Sequence, residues 1–591
     1  MDLPLPKHED LLQMGLLQKR RVGSFCIFIS HQWTSLDDPD PGGQQLNVLK
    51  ACLRNICYNE LSVTNDAASQ FFGDVKSLTT TQKSQIREGF LWLDWISIPQ
   101  SESHVQASES VLPEQDWLSC SRTFAYKSSK PRRHSKQEEY ILSIPSFVQA
   151  CQIFVALVPP VLHHDTGKVC NFSSWLSRGW CRAEMWCKML LGDQDLPMVV
   201  IAAPDLADFA RPVNWVDCMP HEGVFSQPGD RDVVIEIFEQ ALSHQVTWER
   251  DPNMRRYFLA RRESLLDKAE KKRTLSEFLQ DFGFKSLQQA RRASKKVLSP
   301  VACAALAGDT QVLRHLLEAR CPVDCSIAPL LKVGLVELLT PVHLTVMQGW
   351  RQPWVLEQLL NSQADPNLAG KGIPLLACCR TAEDVETLVR YRADVNACAS
   401  PLHVPVLALA SGENVNPLVI SKLLELRANP NASQSAIGLG IKQPLSFLSI
   451  NSRSSAFTVE IAELLLKAEA DVNLQSSAGA PFYSLELLCR MYLQVAPPRT
   501  GFMKAAAEWS TTPLGFASLF SSPELVEVLL AHRADPNIRN ARGNRPIDLA
   551  TCTLVRNLLQ PEGFLDGDPD WQPENWEVRS VHLSRSLQMP F

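Results

Sequence analysis

The sequence lacks any apolar run close to the roughly 20 residues that a membrane-spanning helix needs. Its longest apolar segment, Ile153 to Leu162, is interrupted by Pro159 and Pro160. The N-terminus reads MDLPLPKHEDLLQMG, with acids where a secretory signal peptide has a basic end and then an apolar core. We therefore expect a chain without a membrane span or a secretory signal, located in the cytoplasm.

A strong positive charge is also missing, since the net charge of the 591 residues is −6. Binding to nucleic acid needs many uncompensated Lys and Arg, so we expect no nucleic-acid partner. The 17 cysteines are scattered, and there is neither a CxxC pair nor a His-x-His cluster. We expect free thiols in a reducing compartment, no metal and no permanently bound cofactor.

Four short segments of the first half are predicted strands, because each is an apolar run rich in β-branched and aromatic residues. Segments with helical spacing, such as Gln44 to Tyr58, separate them. Strands that are almost continuously apolar and alternate with helices indicate a parallel sheet covered on both faces, an α/β fold. The predicted strands are Val22–Ile29, Phe90–Ile98, Ile153–Val158 and Met198–Ala203.

The segment Ser174 to Trp186 (SWLSRGWCRAEMW) places one acid, Glu184, among large apolar residues. Burying a carboxylate without a partner costs several kcal/mol or forces it to protonate, so we expect this acid to be paired or to take part in chemistry. One alternative is a helical ion pair with Lys188, which follows Glu184 by four residues. The neighbours of Glu184, namely Trp180, Cys181 and Trp186, are also compatible with a role in a buried core.

Several motifs of this region resemble TIR (Toll/interleukin-1 receptor-like) domains. Phe28-Ile29-Ser30-His31 is similar to the first strand of TIR domains and the polar residues at its end. IFVALVPPVL is similar to the signature of their fourth strand. Trp180-Cys181-Arg182-Ala183-Glu184 resembles the W-C-x-x-E helix of plant-type TIR domains. LWLDWISIPQ resembles the W-I-D-x-x-x-I-x-Q motif of fungal heterokaryon-incompatibility domains. The resemblance covers roughly residues 22–210 and implies a flavodoxin-like parallel sheet.

In NAD-cleaving TIR domains the acid of the W-C-x-x-E motif is the catalytic glutamate, which implies this role for Glu184 and NAD as the substrate. Cleavage of nicotinamide from NAD passes through an oxocarbenium-like state, which a carboxylate near the ribose stabilises. The candidate nucleotide-binding residues are Ser30, His31, Trp33, Asp94 and Trp180. Two alternatives stay open, a capping or pairing role for Asp94 and a hydrogen-bonded structural role for His31. We also expect self-association of the TIR-like domain.

A short phrase recurs in the second half of the chain, each time after a Leu-rich helical segment. Its occurrences are Ala364–Asn367, Ala393–Asn396, Ala428–Asn431, Ala470–Asn473 and Ala534–Asn537. Their spacing centres near the period of about 33 residues that is typical of ankyrin repeats. This half resembles an ankyrin array, which implies binding of a protein partner through a concave face. The widest gap, before Ala534, has room for a degenerate repeat around Tyr483 to Met491.

Together the patterns predict an N-terminal arm (1–21), a TIR-like domain (22–245), a charged, solvated helical linker (246–298), ankyrin repeats (299–560) and a tail (561–591). Trp571 and Trp576 of the tail are predicted to pack on the last repeat. Two functions stay open. In the first, the array controls or targets a TIR-like domain that cleaves NAD. In the second, the protein is a non-catalytic adaptor, and a nucleotide-binding module without turnover lies between the two.

Overall fold

The computed structural model describes most of the chain between residues 6 and 560. The predicted packing of Trp571 and Trp576 lies outside the described residues. The described ranges are 6–18, 23–65, 76–98, 140–192, 198–210, 218–227, 229–269, 271–292, 297–327, 329–335, 339–348, 353–367, 372–400, 403–413, 416–432, 443–449, 452, 457–477, 480–495, 503 and 506–560.

The first of two compact units comprises residues 1–65, 76–258 and 265–268 and is organised around a five-stranded sheet. The strand order is β2-β1-β3-β6-β7, where the first four strands are parallel and β7 pairs antiparallel with β6 at the edge. The predicted parallel sheet is therefore present, and the antiparallel edge strand adds to it. The strands are β1 Cys26–His31, β2 Phe90–Trp92, β3 Ile153–Leu157, β6 Val199–Ala203 and β7 Leu206–Phe209, with a separate hairpin of β4 Val161–Leu162 and β5 Val169–Cys170.

Helices follow the strands in the alternation that the sequence predicts. The helix predicted from Gln44 to Tyr58 is present as α2, which begins at Gln44 and ends at Cys57. The helices of this part of the chain are α1 His8–Gln13, α2 Gln44–Cys57, α3 Thr80–Glu88, α4 Asp94–Ser97, α5 Ile144–Ala150, α6 Phe172–Ser177, α7 Gly179–Leu191, α8 Asp230–Trp248, α9 Pro252–Ala260 and α10 Arg262–Leu265, with a 3₁₀ turn at Pro220–Glu222.

Strand β1 is buried along its whole length, which explains its continuous apolar character. Ile27 and Ile29 face a core that includes Leu49 and Ile56 of α2. The opposite face is aromatic, since the ring of Phe28 stacks on Trp92 at a centroid distance of 4.4 Å and on Phe154 at 5.3 Å. The core therefore lies on both sides of the sheet and holds β1 in the middle of the unit.

The predicted strand Phe90–Ile98 is wrong beyond Trp92. Strand β2 ends there, and the next residues form the short helix α4, which begins at Asp94. An apolar run alone does not distinguish a strand from a buried helical turn. Asp94 favours the helix, because its carboxylate accepts the Trp95 backbone N–H at 2.7 Å in the first turn. Because the chain passes from β2 into α4 at this point, Asp94 lies just after the carboxyl end of β2.

The segment Ser174 to Trp186 forms parts of two helices. Helices α6 and α7 are separated by Arg178, which is extended with φ −85° and ψ 134°. The Gly179 N–H then donates to the Val224 carbonyl at 2.9 Å, so the start of α7 is fixed against the segment after the 3₁₀ turn.

The prediction that the helical linker is solvated is also wrong. Helix α9 buries Met254, Tyr257 and Phe258, which are each at most 2% exposed. The first compact unit extends to Phe258, beyond the predicted end of the α/β domain at residue 245. Interleaved charges dominated the sequence pattern here, whereas the apolar positions between them determine which face is buried.

The second unit contains the C-terminal half of the chain, and its helices are arranged in successive pairs. In one pair the first helix is replaced by a 3₁₀ turn, Leu375–Cys378, which precedes α17. After α11 Leu275–Asp281 and α12 Leu287–Ala290, the helices are α13 Pro300–Ala307, α14 Thr310–Glu318, α15 Pro341–Met347, α16 Pro353–Asn361, α17 Ala382–Arg390, α18 Val406–Gly412, α19 Pro417–Glu425, α20 Pro444–Leu448, α21 Thr458–Lys467, α22 Ala480–Leu493, α23 Pro513–Leu519, α24 Pro523–Ala531, α25 Pro546–Leu549 and α26 Thr553–Leu559, with a 3₁₀ turn at Leu331–Val333 and two short strands, β8 Cys398–Ala399 and β9 Val404–Pro405.

The recurring phrase forms a hydrogen-bonded ladder between neighbouring repeats. Its final Asn accepts a backbone N–H from the next phrase, as Asn396 Oδ1 does from Asn429 at 3.2 Å and Asn431 Oδ1 does from Asp471 at 2.7 Å. The amide of Asn431 also donates to the carbonyl of Glu469 at 2.8 Å. Glu469 has a positive φ of 64°, the left-handed geometry that commonly ends a helix. The phrase is therefore both a turn and the link that holds successive repeats in register.

The hypothesis of a degenerate repeat between residues 483 and 491 is wrong. Asp535 donates its backbone N–H to Asn473 Oδ1 at 2.8 Å, so the phrases on either side of the widest gap are direct neighbours in the ladder. Helix α21 likewise packs directly on α24. Helix α22 is therefore an insertion between two adjacent repeats and not a layer of the stack.

Candidate functional site

Glu184, on α7, is hydrogen-bonded to a residue of β1 that lies 154 positions earlier. The Ser30 hydroxyl donates to Glu184 Oε2 at 2.5 Å, and the Trp175 indole N–H of α6 donates to Ser30 Oγ at 3.0 Å. Ser30 is only 1% exposed, whereas Glu184 is partly exposed. A single hydroxyl thus connects both helices of the SWLSRGWCRAEMW segment to the carboxyl end of the central strand.

A second polar group adjoins the first and centres on Asp94. His31 Nε2 lies 3.0 Å from Asp94 Oδ1, and the Trp33 indole N–H donates to Asp94 Oδ2 at 3.0 Å. The Trp33 ring meets Trp95 edge-on, with a centroid distance of 5.5 Å. Both structural alternatives are realised here, since His31 is hydrogen-bonded and Asp94 lies in the first turn of α4 while pairing with His31.

Burial and neighbouring charges shift the proton affinities of these groups. Burial raises the pKa of Glu184 to about 8; the hydrogen bond from Ser30 opposes this rise, and the Asp94 carboxylate adds to it. Burial alone would lower the pKa of His31, but the adjacent Asp94 carboxylate outweighs it and the pKa is raised. Burial alone would raise the pKa of Asp94, but His31 and three hydrogen bonds lower it. Burial therefore favours the protonated form of Glu184, whereas the attraction between His31 and Asp94 favours the charged form of each.

The alternative ion pair between Glu184 and Lys188 is not formed between these described residues. Lys188 Nζ donates to the backbone carbonyl of Gln152 at 3.3 Å, while Glu184 accepts from Ser30. Arg182 also points away from the acid, because its guanidinium donates to the carbonyl of Leu176 at 2.6 Å and to that of Met219 at 3.0 Å. The helical spacing of Glu184 and Lys188 is therefore not used for pairing.

The structure brings together five of the six predicted site residues: Ser30, His31, Trp33, Asp94 and Glu184. Trp180 is positioned differently, because its indole N–H donates to Asp230 Oδ2 at 2.8 Å at the start of α8. Cys181 is buried, and burial raises the pKa of its thiol, which makes it a poor nucleophile. Trp175 was missed as a polar contributor, although a buried indole generally needs an acceptor and this requirement marks it as a candidate.

The loop after β1 is held in place by its own polar contacts. Asp40 accepts the backbone N–H groups of Gln45 at 3.2 Å and Leu46 at 2.9 Å at the start of α2. The Gln45 side chain donates to the Gln32 carbonyl at 2.8 Å, and the Gln32 side-chain oxygen accepts from Ser174 at 2.7 Å. The loop that carries Trp33 is therefore tied to both α2 and α6.

Within the described ranges, no group of three or more His, Cys, Asp or Glu side chains has the arrangement of a metal site. No helix in the same ranges has the length and apolar character that crossing a membrane requires.

A family model for ankyrin repeats (many copies) matches residues 505–550. The match spans α23, α24 and the last recurring phrase. The C-terminal half contains ankyrin repeats. Arrays of this kind present extended surfaces to other proteins. The ladder of phrases and the paired helices extend the same architecture N-terminally from the matched residues.

Three plant proteins share sequence similarity with part of the chain. A BTB/POZ domain and ankyrin repeat-containing protein COCH from Pisum sativum is 34% identical over 105 residues, 17% of this chain and 21% of that protein. The corresponding protein NOOT1 from Medicago truncatula is 33% identical over 105 residues, with the same coverages. Regulatory protein NPR5 from Arabidopsis thaliana is 29% identical over 155 residues, 24% of this chain and 30% of that protein. The chain thus spans less than a third of the length of these relatives.

Among solved structures, the ankyrin repeat domain of Bcl-3, a member of the IkappaB protein family, aligns with 44% of this chain and 97% of its own length. The sequence identity is 19% and the TM-score is 0.29.

Proposed function

We propose that the first unit is a TIR-like domain that cleaves NAD at Glu184, and that the ankyrin array binds a protein partner that controls or targets it. The strand order supports the fold part of this proposal. If the small hairpin is set aside, the sheet strands follow the flavodoxin-like order 2-1-3-4-5. In that topology ligands bind beyond the carboxyl ends of the central strands, which is where Ser30, His31 and Asp94 are found.

The observation that carries the proposal is the hydrogen bond between Ser30 and Glu184. It holds Oε2 of a partly exposed carboxyl group at the carboxyl end of β1, and we propose that the other oxygen, Oε1, contacts the ligand. Breaking the nicotinamide–ribose bond releases neutral nicotinamide, and water adds to the ribose carbon with loss of a proton. A carboxylate beside the ribose stabilises the positive charge of the transition state. The positive nicotinamide ring of bound NAD would itself favour loss of the proton from Glu184.

The second candidate function is a non-catalytic adaptor in which the TIR-like domain only self-associates. The burial of Ser30 and His31 favours this candidate, because a polar group whose hydrogen bonds are complete within the protein needs no ligand to explain it. The sequence similarity to a protein named as regulatory is compatible with both candidates. In both cases we propose a cytoplasmic signalling protein that uses its array to bind another protein.

A nicotinamide-release assay on the full chain distinguishes the two. We expect wild-type protein, at concentrations where it assembles, to release nicotinamide from NAD, and Glu184→Gln to abolish the release. Glu222→Gln is the matched control, because Glu222 lies near α7 but its side chain is 57% exposed and faces Arg182. No turnover by either protein would support the adaptor, whereas equal turnover by wild type and Glu184→Gln would exclude Glu184 as the catalytic residue.

A further inference from the structure

The insertion between the fifth and sixth recurring helix pairs is firmly anchored to the array. Cys489 of α22 belongs to a buried cluster with Ala408 of α18, Phe516 of α23 and Leu549 of α25. Through this cluster, α22 packs at least one buried side chain against the first helices of several repeats.

Two buried acids strengthen this anchoring. The Glu486 carboxylate is 1% exposed, pairs with Arg490 and accepts the Ser510 hydroxyl at 3.0 Å. At the end of the insertion, Glu508 pairs with Arg542 and accepts side-chain N–H groups from the loop after α24, among them that of Asn544 at 3.1 Å. Glu486 thus joins α22 to the segment before α23, and Glu508 joins that segment to the loop after α24.

The outer face of α22 and of the turn that follows it is apolar and exposed. Five large apolar side chains lie there, at 57%, 46%, 62%, 57% and 84% exposure: Tyr483, Leu487, Leu488, Met491 and Val495. The only acid and the only base of the helix, Glu486 and Arg490, pair with each other. The face thus carries no net charge. Contiguous exposed apolar groups of this kind mark interaction sites, because they gain free energy when water is removed.

The spacing of these side chains is symmetric about Cys489. Tyr483 and Val495 are each six positions from it, and Leu487 and Met491 are each two positions from it. A twofold axis on the exposed side of the helix, at the level of Cys489, would place an antiparallel second copy with Tyr483 opposite Val495 and Leu487 opposite Met491. Leu488 would lie beside its own counterpart near the axis. Such an isologous contact is the commonest symmetry of protein dimers. Here it pairs these apolar groups with one another, and it brings the exposed Ser484 opposite the exposed Gln494.

We infer that the exposed face of α22 is a homodimer interface, in which two copies of this chain pair their insertion helices antiparallel. Two such faces would bury on the order of 1,000 Å², the size at which a specific interface forms. The neutral face favours a second copy, because identical charged faces would repel each other. The inference is independent of the proposed NAD chemistry and of self-association by the TIR-like domain.

The test is the mass of the full chain by sedimentation velocity across a concentration series. We expect a dimer for wild type, and we expect Leu488→Glu to raise its dissociation constant at least about tenfold, because the twofold axis brings the two new carboxylates together. Leu418→Glu, at another exposed apolar side chain of the array, is the control and is expected to leave the mass unchanged. Circular dichroism establishes that each variant is folded.

A charge-complementation experiment tests the antiparallel register. Leu487→Glu and Met491→Lys are each expected to raise the dissociation constant at least about tenfold, whereas an equimolar mixture of the two is expected to recover the wild-type value. A wild-type chain that remains monomeric throughout, or a dimer that Leu488→Glu does not weaken, would overturn the inference. Failure of the mixture to dimerise would overturn the antiparallel arrangement.

Discussion

Asn473 and Asp535 are 62 residues apart in sequence, yet the side-chain oxygen of Asn473 accepts the Asp535 backbone N–H at 2.8 Å. This contact continues the ladder across the insertion and shows that the repeats stack as though the intervening helix were absent. Asn431 is the corresponding Asn of the preceding phrase. It makes one contact more, because its amide also donates to the carbonyl of Glu469.

We predict that Asn431→Ala destabilises the array more than Asn473→Ala does. Asn431 bridges two backbone groups of the next repeat and Asn473 bridges one, and a hydrogen bond of this type contributes about 1 kcal/mol. Urea unfolding of the full chain, followed by circular dichroism, measures the difference. Equal losses in the two variants would show that the amide donor adds nothing to the ladder.

Glu184 is predicted to make stability depend on pH. Its folded pKa of about 8 lies above the ordinary value of 4.5, so the folded chain keeps a proton that the unfolded chain releases between these two values. The free energy of unfolding should therefore fall as pH rises through this window, by up to about 1.4 kcal/mol per pH unit. Urea unfolding at pH 5, 6, 7 and 8 should show this slope in wild type and a reduced slope in Glu184→Gln. The same slope in both proteins would mean that Glu184 is already ionised.

Ser30→Ala is predicted to be more destabilising than Trp175→Phe. The first change leaves both the Glu184 carboxyl and the Trp175 indole without their partner, whereas the second removes only the indole donor. Each buried group without a partner costs about 1–3 kcal/mol. Because the Ser30 hydrogen bond lowers the pKa of Glu184, its loss should also move the pH-dependent region of stability upward. Thermal unfolding at several pH values measures both effects, and a larger loss in Trp175→Phe would contradict the proposed connection.

Gly223→Ala is predicted to disturb the start of α7. A methyl group on Gly223 would lie 2.4 Å from the Gly179 Cα atom, a backbone atom that cannot rotate away. We expect a loss of about 1–3 kcal/mol, the range typical of overpacking. Gly229→Ala is the control, since a methyl group there meets nothing within 4 Å. Equal unfolding midpoints for the two variants would show that the contact relaxes without cost.

Part of this architecture follows directly from local sequence. Strand β3 and helix α2 form where continuous apolar residues and helical spacing predict them, because backbone geometry imposes those periods locally. The recurring phrases locate the repeats, since each repeat uses the same turn and buries the same positions against its neighbours. Residues His31 and Asp94 could also be expected at one sheet edge, because each lies near the end of a parallel strand.

Other features depend on contacts that sequence spacing does not reveal. Lys188 is one helical turn from Glu184, yet it reaches Gln152, and Glu184 bonds instead to Ser30. The packing of α7 over the sheet decides this, since it determines which side of the helix meets β1. In the array, the sequence determined the repeat unit and its turn. Only the tertiary structure decided that Asn473 meets Asp535, because a loop of any length can leave the stack as long as its two ends return to neighbouring positions.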